Sequence, residues 1–191
     1  MGGICAGVDC RKAALPEHPT KCLPDLWEEV RGLDPVSQWD DVLQWEGRME
    51  ELVDNLPDHE IAVSHEIVVL RKFVRAHMSG VHASEHFISS ESDARAHAIC
   101  VVRLEQRRLS ILNKMERFQE KAEVLCNIAH YLHAFLREGE EAAGYFQRAH
   151  DLGLAHGFSS VKCEANLGLA HVAMEEGKHE EAVELFEALL Q

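Results

Sequence analysis

The chain has 191 residues, enough for one domain or a short array of repeats with a core of its own. It carries 33 Asp and Glu against 19 Lys and Arg, a formal net charge of −14, which argues against the basic face that an unassisted DNA or RNA binder needs. No apolar run approaches the length of a membrane-spanning helix (about 18 residues or more), and 46% hydrophobic with 27% charged residues is the composition of a soluble protein.

The charge falls at the two ends. Residues 1–57 hold 12 acidic and 5 basic groups, residues 58–135 hold 10 of each, and residues 136–191 hold 11 and 4. Such acidic ends ordinarily solvate exposed helix faces, and they favour a basic partner over an acidic one.

Residues 1–22 read as an irregular leader punctuated by Cys5, Cys10, Pro16 and Pro19. Cys5, Cys10, His18 and Cys22 form C-x4-C-x7-H-x3-C, a thiolate and imidazole set looser than the paired close spacings of structural zinc sites, so metal binding there stays open. Gly2 and Cys5 carry a weak lipidation signal, but Ala6 replaces the usual Ser or Thr and no polybasic patch follows. A membrane anchor is therefore not expected. With no secretory signal, a reducing, cytoplasmic setting is. Cys100, Cys126 and Cys163 lie in apolar helical patterns and read as buried small hydrophobes.

Residues 23–117 read as a helical region. Pro24 can open a short helix to about Arg31, closed by Gly32 and Pro35. Ser37, with Asp40 three residues on, predicts the start of the next helix, carrying Trp39, Val42, Leu43, Met49, Leu52 and Val53 up to Pro57. Trp27, Trp39 and Trp45 are expected to pack this front segment. Ile61, Ile67, Leu70, Val74 and Met78 recur at helical spacing and predict a helix over 58–79 stopped by Gly80, with Val68-Val69 a local hint of strand. A further helix is expected from about Asp93 to Arg117, its seam Val101, Leu104, Ile111 and Met115, with Arg103, Arg107 and Arg108 on its solvent side.

From residue 118 the pattern repeats. "NIAHYLHAFLREGEEAAGYFQRA" from Asn127 parallels "NLGLAHVAMEEGKHEEAVELFEAL" from Asn166: a helix, a polar turn with Gly, then a second helix with Ala and an aromatic four residues later. Ala142/Ala182 and Phe146/Phe186 are each 40 apart, whereas the Asn pair is 39 apart. Between the units Gly157 suits a left-handed helix end, Ser159 can cap the next helix, and Phe158 with Cys163 has staple spacing.

This resembles the tetratricopeptide (TPR) repeat, over about residues 120–191. Leu169, Ala170, Gly177, Ala182 and Phe186 match in the last unit, and Ala142, Phe146 and Ala149 in the preceding one. The departures are Leu189 for the closing Ala, Gly139 two places late in its turn, and His130 where a small residue is expected. The characteristic Trp and closing Pro are absent from both units. The expected fold is all-α, with antiparallel helical hairpins in two repeats of about 40 residues over 118–191 stacked as a short α-solenoid.

The resemblance implies a scaffold or adaptor that binds a partner helix or peptide, without catalysis, cofactor or nucleic acid. Its groove positions fall on Glu164, Leu167, His171, Met174 and Glu175 in the last unit. The Asn register places Ile128, Leu132, Phe135 and Leu136 in the preceding one, residues apolar enough to be core. Val183, Phe186 and Leu190 form a last apolar face with no following helix in the sequence, an expectation of self-association. The alternative is a zinc protein or metallopeptidase-like enzyme built on His82-x-x-Glu85-His86, the H-x-x-E-H form in which two histidines bind zinc and the glutamate activates water. The Cys126/His130 pair, four apart on a helix, reads as a core contact of the hairpin, and His130/His133, one turn apart, as ordinary helix-surface histidines.

Overall fold

A computed structural model describes residues 30–47, 60–86 and 91–189. Helix α1 spans Trp39–Leu43, α2 Glu60–His86 and α3 Glu91–Leu112. Helix α4 (Phe118–Tyr131) runs into a π turn (Leu132–Leu136) and is followed by α5 (Gly139–His156), α6 (Ser159–Glu175) and α7 (His179–Ala188). No strand occurs among the described residues, and the fold is all-α. Val68-Val69 are helical, because Val69, Leu70, Phe73 and Val74 share a face buried over successive turns. The chain forms two compact units, residues 1–104 and 105–191.

In the first unit α1 packs on α2 and buries Val42 and Leu43. Ser37 is not the cap of α1. The capping position is Gln38, without a side-chain bond, and Ser37 donates its hydroxyl to Asp34, which also accepts from the backbone N–H of Val36 and of Ser37. Helix α1 is short, giving way to a turn at Gln44 and Trp45 before Glu46 resumes helical backbone. Gly80 does not stop α2, which continues to His86. It serves a close approach instead: a Cβ there would lie 2.9 Å from three atoms of the His97 ring on α3.

Helix α3 ends at Leu112, earlier than its periodicity implied, and Met115 lies in the following turn. Arg108 is buried rather than solvent-facing. Its guanidinium lies 2.8 Å from Glu105 and 3.0 Å from Glu120, while Asn127 of α4 donates to the second oxygen of Glu105 at 2.9 Å. A side chain read from sequence as surface charge thus ties α3 to α4 inside the second unit.

In that unit successive helices pack as antiparallel neighbours, α4 on α5, α5 on α6 and α6 on α7, and α4 also touches α6. Ala142, Ala182 and Phe146 are buried, and Phe186 is half-buried. Phe146 lies over Gly168 of α6 so closely that any Cβ there would enter the ring. Gly157 adopts φ +74° at the end of α5, as expected. Ser159 is not a side-chain cap; Phe158 holds that position without a cap bond, and its ring stacks on His156. Cys163 is exposed, whereas Cys100 and Cys126 are buried.

Candidate interaction face on the helical hairpins

The two hairpin turns of the second unit superpose in sequence at a spacing of 40. Arg137 and Gly177 both hold left-handed backbone, at φ +62° and +75°, and Gly139 and His179 both begin the second helix of their hairpins. The apparent lateness of Gly139 is therefore a substitution: Arg137 occupies the turn position that Gly177 fills in the next unit. The first helices start 41 apart, at Phe118 and Ser159. The additional residue is absorbed by the π turn, which widens one helical turn before the chain reverses.

This geometry changes the register of the first helices. A spacing of 41 pairs Ala129 with Ala170, both fully buried, so Ala129 and not His130 is the small packing residue of α4. Asn127 and Asn166 are not equivalent: Asn127 bonds Glu105, and Asn166 is buried in α6. The Asn register therefore misplaced the preceding row. Ile128, Leu132 and Leu136 are core and Phe135 is half-buried, stacked on Tyr131. The same spacing of 41 pairs Glu123, Cys126 and His130 of α4, and His133 of the π turn, with Glu164, Leu167, His171 and Met174 of α6.

On α6, Glu164, Leu167, His171, Met174 and Glu175 are all exposed and lie along one helix face, at spacings of three, four, three and one. Leu167 and Met174 are 43% and 49% exposed, considerable for apolar side chains on a helix whose other face packs Val161, Ala165, Ala170 and Ala173. His171 sits edge-on to Phe186, with ring centroids 5.9 Å apart. The α4 and α6 rows meet along their length. Nε2 of His133 is 3.1 Å from Glu175 Oε2, close enough to pair when the ring is protonated although off the line of a hydrogen bond. At the other end Glu164 is pushed above the usual carboxylate range, first by burial and then by the nearby charge of Glu123. Between them Cys126 is pushed up to about 12 by burial and by Glu164 and Glu123, so it stays a neutral thiol. His130 is exposed, its ring edge against Tyr131 and Phe135. Cys126 and His130 thus do not form a core pair.

Among the remaining candidates, His82 is exposed on α2. The side chains of Glu85 and His86 lie outside the described residues, as do Gly2, Cys5, Cys10, His18 and Cys22. Among the described residues no three His, Cys, Asp or Glu side chains converge as a set of metal ligands, and no helix is long and apolar enough to cross a membrane. Val183 is exposed on α7. Sequence reasoning missed a polar chain in the first unit, the buried Glu46, His77 and His97 with the part-exposed Arg103, since its members come from segments far apart. Compared with known protein families, with curated proteins and with solved structures, the chain finds no match.

Proposed function

We propose that the chain is a TPR-like helical-repeat module that binds a basic, amphipathic protein segment along the α4–α6 face, without catalysis, in the cytoplasm. The observation that carries this reading is the exposed row Glu164, Leu167, His171, Met174 and Glu175 on one face of α6. Apolar side chains left in water beside carboxylates suit an occupant with the same mixture reversed in sign: apolar side chains to cover Leu167 and Met174, and Lys or Arg to meet Glu123, Glu164 and Glu175. The pairing of two first helices, α4 and α6, supports a shared binding face because the two rows lie side by side and widen the surface available to an extended or helical ligand. The exposed Val183 on α7 supports a second, weaker contact through which copies of the chain associate.

The test is selection from a displayed peptide library by the intact chain, with the L167E/M174E double variant as the competitor. Peptides enriched in Lys, Arg and apolar residues should bind the intact chain at least tenfold more tightly than the variant. Equal affinity for both proteins, with circular dichroism showing both folded, would remove the α6 face from the reading.

A further inference from the structure

In the first unit three elements meet at a polar chain whose Glu46, His77 and His97 are buried and whose Arg103 reaches the surface. His77 on α2 is fully buried, and His97 on α3 and Glu46 are 6% and 7% exposed. Nε2 of His77 is 3.0 Å from Glu46 Oε2, and Arg103 donates to the other carboxylate oxygen at 3.0 Å. On its far side Nδ1 of His77 faces Nδ1 of His97 at 2.9 Å. A carboxylate only accepts, so Nε2 of His77 carries a proton. The two facing Nδ1 atoms then have room for one proton between them and no more.

Three protonation states satisfy that geometry: a neutral His77 accepts from Nδ1–H of a neutral or of a cationic His97, or a cationic His77 donates to the bare Nδ1 of His97. When both rings are cationic, two N–H groups point at one another across 2.9 Å, between two buried side chains. His97 has nowhere to turn, with Gly80 pressed against its ring and the ring of Trp39 edge-on at a centroid distance of 5.5 Å. Trp39 and Glu46 both belong to the segment around the five-residue α1, whereas the histidines sit on helices of more than 20 residues. The short segment is the part that can leave at least cost.

We propose that Glu46, His77 and His97 form an acid-operated latch, which holds residues 39–46 on α2 and α3 at neutral pH and releases them when the second imidazole takes a proton. Charged groups face His97 from each side. Asp40 and Glu46 on the segment and Asp93 on α3 favour its cation; burial and then His77 on α2 oppose it more strongly, and hold His97 down to about 4. Burial pushes Glu46 up, but the hydrogen bonds and charges of His77 and Arg103 together outweigh it and hold the carboxyl below its ordinary value in the latched form. In the released state His97 returns toward its ordinary 6.5, so release becomes favourable as pH falls through the window between 6.5 and about 4. Release uncovers Val42 and Leu43, both buried in the latched form.

Hydrogen exchange of the full chain, read by peptide and corrected for intrinsic pH dependence, tests this. Peptides covering 39–46 should lose protection about tenfold or more between pH 7 and pH 4.5, while those covering 67–81 keep theirs. In H97N, whose amide replaces Nδ1 without titrating, the step should vanish. Nitrogen-15 spectra of the unmodified chain give an independent reading: at pH 7 one bridging proton should couple His77 and His97. Unchanged protection at 39–46, simultaneous loss across 67–81, an equal acid step in a folded H97N, or two independently titrating rings near 6.5 would each overturn the latch.

Discussion

Two positions show how much one atom decides. Gly168 accommodates the Phe146 ring with no space for a methyl group, so G168A forces either the ring off its rotamer or α6 away from α5. Overpacking of this kind costs about 1–3 kcal/mol, and G168A should lower the midpoint of urea unfolding accordingly without changing the slope. Arg137 carries the opposite kind of cost: its backbone sits at φ +62°, ψ +31°, where a Cβ crowds the carbonyl and glycine does not. R137G should therefore stabilise the second unit by about 0.5–1 kcal/mol, net of the greater freedom glycine gives the unfolded chain. A fall in thermal midpoint for R137G would mean that the Arg137 side chain contributes more than its backbone costs. The sequence made Gly177 and Gly157 legible as turn residues, but not Arg137, because an arginine carries no conformational signature.

Among elements, the junction of α3 and α4 rests on the buried Glu105 and Arg108 with the part-buried Glu120. Burial, reinforced by the charge of Glu120, raises Glu105 above the usual carboxylate range against the pull of Arg108 and Asn127. Removing one partner leaves an uncompensated charge, so R108M should destabilise by about 3–5 kcal/mol, and the double variant E105L/R108M should recover a large part of that loss. Additive losses in the double variant would show that packing, not charge pairing, joins the helices. The same scale explains the register of the hairpins. The repeat was readable at its second helices, where Ala142/Ala182 and Phe146/Phe186 keep a spacing of 40. At the first helices the matched Asn pair was misleading, because a π turn adds one residue that periodicity does not reveal. The α6 positions share one exposed face because helical spacing alone puts them there, whereas the register of α4 depends on the π turn.

Across the whole molecule, the ionisable groups divide by unit. In the first unit His97 is depressed, so the unfolded chain binds a proton that the folded one does not, and stability is lost as pH falls from 6.5 toward 4. Asp34 is also depressed, by its side-chain and backbone hydrogen bonds to Ser37, and Glu46 by His77 and Arg103 acting together against burial. Their stabilisation is present above the ordinary carboxylate values and disappears at lower pH still. In the second unit Glu105 and Glu164 are raised, each chiefly by burial, so folding there is helped as pH falls toward the ordinary carboxylate value. Mild acid should therefore weaken residues 1–104 and spare or strengthen residues 105–191. Residue-resolved exchange at pH 7 and pH 5 checks this, and a uniform loss of protection in both units would contradict it.

The sequence by itself determined the all-α fold, the main helices and the hairpin pattern of the C-terminal part, because helical periodicity, turn glycines and the Ala–Phe spacing are written within a few residues of one another. It did not determine that α2 would run through Gly80, that Arg108 would be buried, or that Glu46, His77 and His97 would meet across 31 and 20 residues of chain. Those outcomes depend on which helices approach and how closely. A glycine becomes a contact rather than a break when a ring presses on it, and a charge is buried when a counter-charge arrives from another element. Only the tertiary structure supplies that neighbour.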